Sequence, residues 1–117
     1  MFDFKRLDHV LICVPVGKKQ EARVFYSEVL GLVEIPGEHP RGSLWFEIAG
    51  IQLHVQEEDG GNFSARHFAI EIENLAKATE YLERMEIPLA YSSKIEGRER
   101  LFFRDPFDNR IELIEYS

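Results

Sequence analysis

The sequence predicts an α+β fold made of two βαβββ modules, and three observations predict it. A strand-like stretch, a helical stretch and three more strand-like stretches occur in that order twice. Two pairs of polar strand residues recur with one step: His9 to His67 (67 − 9 = 58) and His54 to Glu112 (112 − 54 = 58). Strands and helices do not alternate strictly, as a parallel α/β sheet would require. The modules span about 5–57 and 65–117, joined by a linker near 57–66, and together form a single domain over 1–117.

Each element has a local reason. "LDHVLICVPV" (7–16) alternates in the manner of a strand around His9. In "KKQEARVFYSEVLGL", Ala22, Phe25, Tyr26, Val29 and Leu30 share one helical face, and Gly31 stands where a left-handed C-terminal cap belongs. "LVEIP", "SLWFEIA" and "IQLHVQ" read as strands separated by the turn residues of "PGEHPRG" and "AG". After the linker, "RHFAIEI" is a strand. "ENLAKATEYLERME" is a helix with Leu75, Ala78, Tyr81 and Leu82 on one side and Asn74 as its N-cap. "PLAYSSK", "ERLFFRD" and "NRIELIEY" are the last three strands.

Composition narrows the class. With 117 residues, 44% hydrophobic and 30% charged, the chain can bury a core without disulfides or structural metals. A net charge of −7 argues against nucleic acid or an anionic membrane as partner. The one basic cluster, "GRERLFFR", is interleaved with apolar residues and reads as a strand. Cys13 is the single cysteine, so no internal disulfide is expected and a reducing compartment fits. The N-terminus shows no signal-peptide core, and "VLICVPV" is too short to span a bilayer, so a cytoplasmic location is expected.

Strand parity divides the side chains. One face collects Val10, Ile12, Val14, Leu53, Val55, Phe68, Ile70, Ile72, Ile111 and Leu113, all apolar, and should pack under the helices. The opposite face carries His9, Leu11, Cys13, Gln52, His54, Gln56, His67, Ala69, Glu71, Glu112 and Ile114, a mixed lining suited to a cavity. Three imidazoles and a carboxylate on that face suit a divalent transition metal better than calcium or magnesium, which prefer oxygen shells. Two of the histidines with Glu112 would form a facial set with open positions, and His54 a fourth ligand or a nearby acid or base. The bland reading is that each histidine is separately tolerated at a strand end. The shared step of 58 favours a set.

Other candidates are weaker. His39, in "PGEHPRG", has no repeat partner and is expected to be a solvent-exposed loop residue. Cys13 is expected to be a small core residue without a lowered pKa. Glu71 could orient a ligand, or be an exposed strand-end carboxylate. No glycine-rich phosphate loop or Ser/His/Asp or Cys/His nucleophile arrangement is present.

These stretches resemble the vicinal oxygen chelate superfamily, which includes glyoxalases, bleomycin-resistance proteins, extradiol dioxygenases and fosfomycin-resistance thiol transferases. "LDHVLICV" resembles its opening ligand strand, "FYSEVLGL" its helix end, "RHFAIEI" its third-ligand strand, and "DPFDNRIELIE" the signature ending in a ligand glutamate. The resemblance covers essentially the whole chain. It implies a curved mixed sheet around a metal cavity, with His9, His54, His67 and Glu112 as metal positions. The ion implied is zinc, nickel, manganese, cobalt or iron.

Departures from each branch matter too. Bacterial-type glyoxalase I usually has Glu where this chain has His54, and Cys13 stands near the place of its glutathione-binding Arg. Fosfomycin transferases usually carry Thr two residues after the first ligand, where this chain has Leu11. Their basic C-terminal extension is not expected here, since the sequence ends at Ser117. Asp108 replaces the Gly that often follows "DPF", and an Asp-Asn turn tolerates that conformation.

The function implied is a metal-dependent glyoxalase-like lyase or isomerase acting on a small molecule with vicinal oxygens, with Glu112 as proton-transferring base. The alternatives are an iron-dependent extradiol-type dioxygenase and a non-catalytic drug- or metabolite-binding protein of the bleomycin-resistance kind. A homodimer with shared sites is expected from the two-fold pairing common among small relatives.

Overall fold

A computed structural model describes residues 1–117. The chain divides into two compact units, Met1–Gly61 and Asn62–Ser117. Each holds one four-stranded mixed sheet, and the fold is α+β.

The first unit runs β1 (His9–Val14), α1 (Lys19–Val24), β2 (Val33–Ile35), β3 (Leu44–Ile48) and β4 (Ile51–Glu57). Its sheet order is β1-β4-β3-β2; β1 lies parallel to β4 and the other pairs are antiparallel. Ala49 (φ 47°) and Gly50 (φ 84°) both take left-handed backbone, which gives the tight two-residue turn that suits the twist of β3 and β4. The helix extends past α1 through a π-type turn, Phe25–Val29, in which the Leu30 N–H reaches back five residues to the Phe25 carbonyl. Gly31, at φ 74°, then ends it as its sequence position requires, and the Leu32 N–H closes on the Tyr26 carbonyl. The expected helix face is the buried one: Ala22, Phe25 and Tyr26 join Val14, Phe46, Leu53 and Val55 in the core. Each such large side chain contributes about 1.5–3 kcal/mol by leaving water.

The second unit repeats the plan with β5 (His67–Glu71), α2 (Leu75–Arg84), β6 (Leu89–Ala90), β7 (Arg98–Arg104) and β8 (Arg110–Tyr116), in the order β5-β8-β7-β6. The step of 58 holds for the pairing itself. His9 opposes Gln52 in the first unit and His67 opposes Arg110 in the second, and 52 + 58 = 110. Asn74 caps α2 as expected, its side chain accepting from the Lys77 N–H at 2.9 Å. Glu115 of β8 accepts from the Leu75 N–H at 2.7 Å, tying the helix to the Ile111–Leu113–Glu115 face of the strand. Leu82, Leu101, Phe103 and Ile111 form the core.

Two elements differ from expectation. The strand read over 88–94 is reduced to Leu89–Ala90, because "SSK" supplies no apolar side chains to pack on the sheet. The loop "PGEHPRG" contains a short 3₁₀ turn at Pro40–Gly42. No helix is long and apolar enough to cross a membrane.

Candidate metal centre

In the first unit, the parallel register of β1 and β4 puts His9 and His54 two positions apart on one face. Their rings stack at 4.1 Å between centroids. Trp45, the direct cross-strand partner of His54, stacks on it at 4.1 Å with planes 2° apart. His39 continues the column, 4.2 Å from Trp45. His39 is therefore not the solvent-exposed loop residue expected. It is half-buried against the indole, and one ring N–H donates to the Ile35 carbonyl at 2.9 Å. A short loop motif carries no sequence signal for such a long-range stack.

Hydrogen bonds define which nitrogen of each imidazole remains a lone-pair donor. The Asp8 carboxylate accepts from His9 Nδ1 at 2.8 Å, leaving Nε2 free for a cation. The Gln52 amide oxygen accepts from His54 Nε2 at 2.9 Å, leaving Nδ1. Burial, and secondarily the neighbouring His9, push the His54 pKa below the usual histidine value, so this ring is held neutral. The hydrogen bond from His9, assisted by Arg6, holds the Asp8 carboxyl below its usual range.

In the second unit, the Ala65 carbonyl accepts from His67 Nδ1 at 2.9 Å, leaving Nε2 facing Glu112 Oε1 at 2.9 Å. A lone pair and a carboxylate at that distance attract only with a proton or metal ion between them. Glu112 is buried at 4% exposure. Its second oxygen accepts from Arg100 Nη1 at 3.3 Å. The sequence reading singled out neither this arginine nor Phe102, whose ring meets His67 edge-on at 5.1 Å. Parity along "GRERLFFR" was the available signal, since Arg98, Arg100, Phe102 and Arg104 fall on the Glu112 face.

The structure thus brings the four candidates together as two pairs, His9 with His54 and His67 with Glu112. Within neither unit do three His, Cys, Asp or Glu side chains gather into a group able to hold a metal ion. Cys13 is half-buried and donates to Glu58 at 3.2 Å. Burial, reinforced by that carboxylate, pushes its thiol up to about 11, so it is no nucleophile at neutral pH. Glu71 is exposed.

The family model of the Glyoxalase/Bleomycin resistance protein/Dioxygenase superfamily matches residues 6–113. The chain belongs to this superfamily. No curated protein matches it by sequence. Among solved structures, this superfamily member is similar to a protein from Bacillus anthracis described as glyoxalase family, with 31% identity, a TM-score of 0.88 and full coverage of both chains (100% of each). It shares its fold with an integron cassette protein from the Halifax Harbour sewage metagenome, at 23% identity and a TM-score of 0.78, covering 96% of this chain and 99% of that one. It also shares its fold with the fosfomycin resistance protein FosX from Listeria monocytogenes. A Glu-to-Gln mutant of FosX, crystallised with Mn(II) and 1S,2S-dihydroxypropylphosphonic acid, matches at 19% identity and a TM-score of 0.80, covering 98% and 95% of the two chains.

Proposed function

We propose that this protein is a metal-dependent glyoxalase-like lyase or isomerase, with His9, His54, His67 and Glu112 holding one divalent transition metal. One observation carries the reading. His9 and His54 each give one N–H to a neighbouring acceptor and keep the other nitrogen for a cation, and His67 gives Nδ1–H to the Ala65 carbonyl and turns Nε2 to the Glu112 carboxylate, the arrangement typical of metal-binding imidazoles. Nitrogen-rich donors with one carboxylate fit zinc, nickel, manganese, cobalt or iron(II). When bound, such an ion would polarise two adjacent substrate oxygens as a Lewis acid.

The remaining chemistry belongs to the chain. Glu112 would take a proton from the substrate, a role its burial from water supports. Arg100 fixes one carboxylate oxygen and leaves the other toward His67. Ala65, through its carbonyl, sets the plane and tautomer of His67. The competing reading, a metal-free metabolite-binding module, draws on the Arg100 contact, which compensates the Glu112 charge without an ion.

Metal content separates the two. Elemental analysis of protein purified without an affinity tag is expected to find about one transition metal per chain. His67→Ala and Glu112→Ala should lose most of it, and His39→Ala should retain it. Equal retention in all three variants would remove the ligand assignment. Iron together with oxygen uptake on catechols would move the chemistry to the dioxygenase class.

A further inference from the structure

The polar face of the second sheet is cationic in an acidic chain. Cross-strand partners share a face, so Arg98, Arg100, Phe102 and Arg104 of β7 lie with Arg110, Glu112, Ile114 and Tyr116 of β8 and with His67, Ala69 and Glu71 of β5. That is four guanidinium groups against two carboxylates, on a chain whose net charge is −7. Only Arg100 among the four has a carboxylate partner.

Arg104 and Arg98 are committed to structure, and Arg100 gives one Nη to Glu112 and the other to the Ser93 carbonyl at 2.7 Å, which leaves only its remaining N–H groups available. Arg104 donates to the Asp108 and Ser64 carbonyls and covers the Phe63 ring at 4.0 Å. Arg98 lies over Tyr116 at 4.8 Å. The other two converge on one ring: the Arg110 and Arg100 guanidinium carbons lie 3.8 and 5.5 Å from the Phe102 centroid. An arginine has five N–H donors, and Arg110 gives one to a protein acceptor, the Ala65 carbonyl at 3.2 Å. Arg100 Nε, like Arg98 Nε on the same face, is buried with no hydrogen-bond partner, so this face holds two orphaned donors. The first unit has no counterpart. One repeat earlier, Gln52 stands at the place of Arg110 (110 − 58 = 52).

We propose that the substrate of this site carries an oxyanion group, a carboxylate, phosphate or phosphonate, that Arg100 and Arg110 bind across the ring of Phe102. The proposal rests on the reading of His67 and Glu112 as the reacting end of the site. The planar forks of the two guanidinium groups match a tetrahedral or planar oxyanion, and the apolar ring between them keeps the charge-assisted hydrogen bonds from competition with water.

The test uses the full-length, metal-free protein, titrated with inorganic phosphate, methylphosphonate and acetate at an ionic strength held constant with sodium chloride. Binding is followed by calorimetry and by the arginine Nε–H signals in NMR. Saturable binding of at least one of these anions is expected, about tenfold or more weaker in Arg100→Gln and in Arg110→Gln. The exposed Arg66→Gln should bind as the wild type does. Arg110→Gln keeps the Arg100–Glu112 contact and carries the test if Arg100→Gln does not fold. Absence of saturable binding, or an equal loss in Arg66→Gln, overturns the proposal. A separate titration with metal alone distinguishes the two readings: metal binding without anion binding overturns only the oxyanion site, and anion binding without metal binding overturns only the ligand set.

Discussion

His54 shows how much a single residue's surroundings decide. Alternation in "IQLHVQ" placed it on the polar face, and it is there. What alternation could not convey is that this polar-face residue is 7% exposed, closed between the rings of His9 and Trp45. The consequence is a pH dependence of definite sign. An unfolded histidine takes up a proton near pH 6.5, whereas the folded His54 resists it to lower pH. Below about pH 6.5 the unfolded state therefore binds more protons, and stability falls as the pH falls through the folded pKa. Thermal melts of the metal-free protein between pH 7.5 and 5 should show this decline, and His54→Gln should flatten it. An unchanged slope in the variant would assign the acid sensitivity elsewhere.

Among the elements, the turn joining β7 to β8 is the most constrained. Asp105 binds it from within, its carboxylate accepting the Phe107 and Asn109 N–H groups at 2.9 and 2.8 Å. Asp108 sits at φ 72°, the left-handed region that favours Gly. An L-residue there costs about 1–2 kcal/mol, and glycine returns roughly 0.5–1 of that as lost chain entropy. Asp108→Gly should therefore stabilise the fold by up to about 1 kcal/mol, and Asp108→Val should destabilise it, both measurable by urea unfolding. The tolerance of this Asp was legible from the sequence, because Asx turns have a local mechanism. The length of β6 was not, since pairing of so short an edge strand depends on what lies beside it. The same limit hid the π-type turn at Phe25–Val29, which keeps the helical spacing of Phe25 and Tyr26 but changes the backbone bonding.

At the scale of the whole molecule, the duplicated plan was the clearest sequence signal, because two coincident steps of 58 required a common strand register. The pairing of Glu112 with Arg100 was not legible, since parity gives a shared face but not which side chains meet. Each unit supplies two of the four proposed ligands, and this makes a mixing experiment decisive for the proposed homodimer. One variant carries His9→Ala with His54→Ala, the other His67→Ala with Glu112→Ala. If sites are shared across two chains, each mixed dimer holds one intact site, and co-refolding should restore part of the metal binding. Sites completed within one chain would stay empty in every mixture.

The ring column of the first unit has a practical consequence. Trp45 is the only tryptophan of the chain, and it lies between His54 and His39. All indole fluorescence of this protein therefore originates within van der Waals reach of a proposed ligand. Its emission is a label-free optical probe of whatever the neighbouring imidazole binds.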